Sequence, residues 1–176
     1  MTVLTTHSLT LRPWRASDVD ALIVHADDRR IAQNLRDRFP HPYGRADAES
    51  WIEFASSRPS PNPYFAICVG DEAIGSIGID AFDDVHRRTG ELGYWLGAAH
   101  WGRGYATEAV VAMTSYGFDQ LGLARMQAGV FAWNPASTRV LAKAGYQFEG
   151  TLRSHVVKDG RLGDVLLYAV IRADLT

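Results

Sequence analysis

Between Trp95 and Val110 the chain reads WLGAAHWGRGYATEAV, with Gly97, Gly102 and Gly104 set just ahead of a helix-favouring run. The first four backbone N–H groups of a helix have no partner within it and lie at the positive end of its dipole. Glycines there let the main chain come close to a ligand oxygen and adopt positive φ, which gives the turn from Gly102 through Arg103, Gly104, Tyr105 and Ala106 to Thr107 the make-up of an anion site. Arg103 adds a positive charge. The same glycines also suit a tight turn that only packs a strand against a helix. No Gly-Lys-Ser/Thr follows, and no acidic residue stands about 20 positions beyond a first strand, so both common nucleotide-loop patterns are weakened.

Two further groups carry polar side chains whose placement asks for an explanation. Asn134 and Ser137 stand three residues apart at the start of a second helical run, where Asn is a strong N-cap; capping alone accounts for Asn134. Glu91 alternates with Leu92 and Tyr94 and is expected to face away from them, either as a general base or as a solvated or paired strand carboxylate. The six histidines, His7, His25, His41, His86, His100 and His155, lack metal-ligand spacing, so no metal is expected. The single cysteine, Cys68, sits in the apolar run YFAICVG and reads as a small buried hydrophobe.

These residues need elements to hold them. LTLRPW alternates as a short strand, and Ser17 and Asp18 open an amphipathic helix that offers Leu22, Ile23 and Ala26 to the core. RFPHPYGRA is an ordered loop, a second helix runs from about Asp47 through Trp51, Ile52 and Ala55, and SSRPSPNP (Ser56 to Pro63) is a loop. YFAICVG, AIGSIGID and GELGYWLG form a meander, the first two joined by an Asp71-Glu72 turn. A long helix follows from about Tyr105 to Leu121. MQAGVFAWN is a strand, PASTRVLAKAG a helix opened by Asn134 and Pro135 and closed by Gly145, and two strands flank the KDGR turn. The order is strand, two helices, three strands, helix, strand, helix, two strands, which one central sheet in a mixed α/β fold satisfies.

The 176 residues suffice for one domain with a substantial core, spanning 1–176. Hydrophobic residues at 47% and charged residues at 22% fit a soluble globular chain, and no apolar run approaches a membrane span. The N-terminus MTVLTTHSLTLRPWR lacks the features of a secretory signal, so a cytoplasmic location is expected. Eighteen basic residues against twenty acidic ones, a net charge of −2, give no electrostatic case for nucleic acid.

GELGYWLGAAHWGRGYATEAV followed by FDQLGLARMQAGVFAWNPASTRVLAKAGYQFEGTLR resembles the GNAT N-acetyltransferases, in particular the ribosomal-protein N-terminal alanine acetyltransferase (RimJ/RimL-like) type. The likeness extends to LTLRPWRASDVDAL at the front and DGRLGDVLLYAVIRADL at the end. It implies a mostly antiparallel sheet in which acetyl-CoA lies between two splayed parallel strands, GELGYWLG and MQAGVFAWN. Backbone near Trp95 and Leu96 would pair with the pantetheine amides, and one of those N–H groups would polarise the thioester carbonyl. The glycine turn would hold the pyrophosphate. The wider family has Gln or Arg where this chain has Trp101, and an aromatic residue there is common in the RimJ/RimL-like branch. The resemblance puts Asn134 against the cofactor and Ser137 near its sulfur, as proton donor to the thiolate. Some N-terminal acetyltransferases use a tyrosine and a glutamate at the positions of Leu141 and Gly129, a mechanism this chain lacks; an ordered water is the alternative acid.

N-acetylation needs a neutral amine, a stabilised oxyanion and a proton for the thiolate. An α-amine, with a pKa of about 8, is roughly 2.5 units easier to neutralise than a lysine, about 3.4 kcal/mol. A weak base such as Glu91 then suffices. FPHPYGRADAESWI resembles the acceptor-lining segment of this branch, which implicates His41, Tyr43 and Trp51 beside Glu91, each equally suited to packing. Asp80, Asp83 and Asp84 either attract a cationic acceptor or form a solvated turn. Protein N-termini, polyamines, aminoglycosides and other small amines all stay open as acceptors, a noncatalytic acyl-CoA-binding domain is the rival reading, and the assembly is a monomer or homodimer.

Overall fold

The computed structural model describes residues 2–58 and 63–175. Eight strands form one sheet: Leu4–Thr5 (β1), Thr10–Pro13 (β2), Tyr64–Val69 (β3), Glu72–Ala81 (β4), Thr89–Leu96 (β5), Arg125–Phe131 (β6), Gln147–Lys158 (β7) and Arg161–Ile171 (β8). Their spatial order is β1-β2-β3-β4-β5-β6-β8-β7. Five helices, Val19–Ala26 (α1), Arg29–Ala32 (α2), Arg45–Ser57 (α3), Tyr105–Asp119 (α4) and Pro135–Lys143 (α5), accompany it. The architecture is the mixed α/β fold expected from the sequence.

Side-chain alternation divides the core between the two faces of the sheet. Phe65 and Ile67 of β3 join Leu92 and Leu96 of β5 and Ala109, Val110 and Met113 of α4 in one cluster. Ala66 and Cys68, the neighbours on β3, pack with Leu22 and Ala26 of α1 and Ala48, Ile52 and Ala55 of α3 in the other. This is the period of two that a strand covered on both faces requires. Cys68 is fully buried. Burial pushes its thiol up to about 11 although Arg12 pulls the other way, so it serves as packing.

Several local expectations shift. Asp18 stands at the N-cap of α1, as expected, but its carboxylate does not cap that helix; it is buried, accepts from Arg12 Nη1 and Nη2 at 2.8 Å each and accepts the Arg15 N–H at 2.8 Å. α1 therefore begins at Val19. The hairpin turn before β4 is Gly70-Asp71 rather than Asp71-Glu72, because Val69 pairs with Glu72 and Gly70 supplies φ +59°. α3 continues through Ser57, and the rest of the proline-rich loop lies mostly outside the described residues. The strand expected to reach Asn134 stops at Phe131, whose carbonyl accepts the Asn134 N–H in a turn. The short α2, capped by Asp28 on the Arg30 N–H, was not anticipated, nor was β1.

All strand pairs are antiparallel except β5 with β6. A parallel neighbour requires a crossover, and α4 supplies it. The parallel register covers only Thr89 with Arg125, Gly90 with Met126 and Glu91 with Gln127, after which the strands part. Gly90 sits at this junction without room to spare: a Cβ there would lie 2.7 Å from Leu123 Cδ1 and 2.9 Å from Ile79 Cγ2. Gly90→Val is therefore expected to overpack the junction and cost about 1–3 kcal/mol, read as a lower midpoint in chemical denaturation.

Candidate active site

Where β5 and β6 separate, backbone groups lose their partners. The Gly97 N–H bonds to the Ile74 carbonyl, and the Phe82 N–H to the Thr89 carbonyl, so odd-numbered residues of β5 point their peptide groups at β4. Leu92, Tyr94 and Leu96 therefore point theirs toward β6. On β6 the Ala132 N–H goes to Asp164 of β8, so even-numbered residues face β8 and Gly129 and Phe131 face β5. Tyr94 and Leu96 oppose Gly129 and Phe131 across a gap too wide for a ladder. Unpaired main-chain groups inside a protein call for a partner, and an extended chain bearing amides is the shape that fits.

One cleft of about 860 Å³ runs through this gap and joins the two faces of the sheet. On the α4/α5 face it is walled by Tyr94, Gly102, Gly104, Tyr105, Ala106, Thr107, Asn134 and Ser137. Gly102 and Gly104 have φ of +76° and +83°, and a Cβ on either would meet nothing within 4 Å. The space beyond them is open to a ligand, as the sequence reading requires. Arg103 is exposed on the same turn but does not wall the cleft. Trp101 lies across the entrance: its Nε1–H donates to the Leu96 carbonyl at 2.7 Å, and the Arg30 guanidinium stacks 5.4 Å over its ring. Trp101 thus fixes one end of β5 where the wider family has a Gln or Arg.

Asn134 caps α5 through its side-chain oxygen, which accepts the Ser137 N–H at 3.3 Å. The Ser137 hydroxyl meets the Tyr94 hydroxyl at 2.7 Å. Burial pushes the Tyr94 phenol up to about 12, against the pull of that hydrogen bond, so it stays protonated across the neutral range. The sequence reading used Tyr94 only to orient Glu91; its packing with the apolar face was visible, its partner was not.

On the opposite face the cleft meets Phe39, Tyr43, Asp47, Trp51, Phe54, Tyr64, Asp80, Glu91 and Trp95. Glu91 points away from Leu92 and Tyr94, as expected, and accepts Arg36 Nη2 at 3.1 Å. Asp80 is its direct partner across the β4/β5 ladder and is held by Arg58 at 2.5 Å and by the Tyr64 hydroxyl at 2.6 Å. Asp83 and Asp84 lie outside the cleft walls. Trp95 turns its ring to Phe39, 5.5 Å between centroids, and its peptide groups to β4. Its contribution is a side-chain wall, and Leu96 turns its backbone N–H into the gap. Tyr43 is buried, its N–H bound to Asp27, and the Trp51 indole N–H is buried without a partner. His41 stands apart, against Asp27 at 3.2 Å and facing a smaller polar cavity with Asp37 and Lys158.

Residues 8–147 match the acetyltransferase (GNAT) domain family. Over 176 residues, 99% of this chain and 98% of the relative, the sequence is 33% identical to the uncharacterized N-acetyltransferase p20 of Bacillus licheniformis. It is 32% identical over 107 residues, 61% of this chain and 59% of the other, to the ribosomal-protein-serine acetyltransferase of Escherichia coli K12. Mycobacterium smegmatis RimJ, solved in complex with CoA-disulfide, superposes with a TM-score of 0.83 at 26% identity, covering 95% of this chain and 83% of that one. The chain belongs to the GNAT family and is an acetyl-transferring enzyme.

The α5 corner can be tested for what each residue holds. Asn134→Ala removes the cap and is expected to cost about 1 kcal/mol of stability in a thermal or chemical melt, whereas Ser137→Ala leaves the cap in place and the melt nearly unmoved.

Proposed function

We propose that this enzyme transfers the acetyl group of acetyl-CoA directly to an α-amine in a ternary complex, with the N-terminus of a protein or peptide as acceptor. The observation that supports this most is the cleft itself: it passes through the sheet, with Glu91 at one mouth and Ser137 at the other. An amine approaching from the Glu91 side meets an acyl carbon in the gap while the leaving sulfur departs toward Ser137. The residues fit the co-substrate. Gly102 and Gly104, together with the first turn of α4, offer main-chain donors and open space for a pyrophosphate. The N–H groups of Tyr94, Leu96, Gly129 and Phe131 and the carbonyls of Tyr94 and Gly129, turned into the gap, suit the amides of a pantetheine arm; the Leu96 and Phe131 carbonyls are already taken by Trp101 and Asn134.

Bound acetyl-CoA would supply the activated thioester. Glu91 takes the proton from the incoming ammonium, directly or through water, once the acceptor has drawn Arg36 aside. A backbone N–H of β5 donates to the acyl oxygen as charge develops there. Ser137 donates to the departing sulfur. Phe39, Tyr43, Trp51, Phe54, Tyr64 and Trp95 give the acceptor mouth an aromatic lining, so the group carrying the amine is held by faces rather than by a deep charged pocket. Asp80 and Glu91 are each already matched by an arginine, which disfavours a polyamine or aminoglycoside bearing several charges.

His41 has no part in this reading, since it lies away from the cleft. No helix among the described residues is long and apolar enough to cross a membrane, and they contain no group of three or more His, Cys, Asp or Glu side chains able to hold a metal ion. The test is release of CoA thiol from acetyl-CoA against paired peptides, one with a free small N-terminal residue and one blocked there but offering a lysine, with small polyamines alongside. Faster turnover of the free α-amine is expected. A preference for lysine or for a polyamine contradicts the acceptor assignment, and no thiol release with any amine points to a binding domain.

A further inference from the structure

The proposed mechanism leaves one buried polar contact without a role. Tyr94 reaches from β5 to the first turn of α5, and its hydroxyl lies 2.7 Å from Ser137 Oγ. Both groups wall the cleft. A serine hydroxyl has a single proton and can accept two hydrogen bonds, and a phenol hydroxyl likewise has a single proton. One of the two must donate to the other, and the choice decides what Ser137 has left to offer. If Ser137 donates to Tyr94, its proton is spent inside the protein. If Tyr94 donates to Ser137, the serine proton is free to point into the cleft.

We infer that Tyr94 is a positioning residue for the transfer step, donating its phenolic proton to Ser137 Oγ so that the serine hydroxyl is aimed at the sulfur of CoA. The inference rests on the reading of Ser137 as donor to that sulfur and adds the group that orients it. Three observations carry it. The phenol is partly buried and packs against the core cluster that α4 helps to form, which limits the freedom of its ring to turn away. The phenolic oxygen also lies 3.4 Å from the Ser137 carbonyl, which accepts hydrogen bonds and cannot donate one. That carbonyl competes for the single phenolic proton, but Ser137 Oγ at 2.7 Å is much the nearer acceptor, and the shorter contact takes the proton. The Ser137 N–H is meanwhile taken by Asn134, so the backbone of that residue is fixed from the other side. Tyr94 itself transfers no proton, and no bond to it changes.

A hydrogen bond to the thiolate favours the ionised form of a thiol, so the arrangement has a signature apart from turnover. The thiol of CoA bound to the enzyme is expected to titrate lower than free CoA, followed by thiolate absorbance in the ultraviolet. Tyr94→Phe and Ser137→Ala should each raise that value by roughly one unit, the tenfold effect of one oriented hydrogen bond. The double variant should raise it no further. In turnover, with the chemical step shown to limit, Tyr94→Phe should lower kcat about tenfold in the parent and have no effect in the Ser137→Ala background. CoA affinity at low pH, where the thiol is neutral, and the melting temperature should stay close to those of the parent.

Outcomes separate the inference from the reading beneath it. If Ser137→Ala lowers kcat and shifts the bound thiol while Tyr94→Phe does neither, Ser137 acts without help and the inference about Tyr94 is wrong. Equal losses from Tyr94→Phe in both backgrounds would also overturn it, because the phenol would then be acting elsewhere than through Ser137. If Ser137→Ala itself leaves both kcat and the thiol unchanged, the donor role of Ser137 fails first and takes this one with it. A melt displaced by several degrees in Tyr94→Phe, with the bound thiol unchanged, would assign the contact to packing alone.

Discussion

Three residue pairs hold β5 beside β6, and the chemistry of the protein depends on the ladder ending there. Had the pairing continued, Tyr94 and Leu96 would have spent their peptide groups on Gly129 and Phe131 and the sheet would be closed. Its ending opens a gap in the middle of a well-packed sheet. Main-chain groups left without a strand partner lie along each side of that gap, which is costly without a ligand and favourable with one, although Trp101 and Asn134 take the carbonyls of Leu96 and Phe131. The hydrophobic core pays for the arrangement: β4 fastens β5 from one side over its whole length, and β8 does the same for β6. Neither strand relies on the other.

The gap also decides the geometry of reaction. Because it passes through the sheet, side chains of opposite parity on β5 serve its two mouths. Glu91 and Trp95 face α3 and Tyr94 faces α5, so the Glu91 carboxylate and a hydroxyl network are separated by the thickness of a single strand. The proposed acid and base therefore need not share one pocket. Glu91 keeps partial access to solvent and an arginine partner. Tyr94 is partly buried, and desolvation keeps its phenol protonated. The glycine turn before α4 completes the site from the end, with two left-handed residues that no side chain obstructs.

Much of this was legible in the sequence, for physical reasons that differ from residue to residue. Period-two alternation gave the strands and the direction of Glu91, and the spacing of Gly102 and Gly104 ahead of a helical run marked the left-handed turn before α4. Asn134 followed from capping preference. What could not be read were contacts between distant segments. Asp18 stands where a helix opener should, but the pairing of its carboxylate with Arg12, six residues back on the preceding strand, was not legible. Tyr94 read as an apolar-face residue, since nothing in its own strand reveals a serine more than forty positions away. Arg36 and Arg58 carry no local signal for pairing with Glu91 and Asp80. α2 is too short for periodicity to show. His41 sits in a segment that resembles an acceptor wall, but the loop turns its ring toward Asp27. Trp95 and Leu96 were read together, and only the register of β5 against β4 separates the side-chain wall from the free backbone.

The central claim is that the unpaired main chain of the gap is the surface on which acetyl-CoA lies. Amide hydrogen exchange, resolved residue by residue with and without CoA, tests it most directly. The account predicts slower exchange on binding at the N–H groups of Tyr94, Leu96, Gly129 and Phe131, those nearest the pantetheine arm changing most, with the Trp95 N–H unchanged because β4 already holds it. Bound CoA that leaves all four of those amides exchanging at their free rates would contradict it.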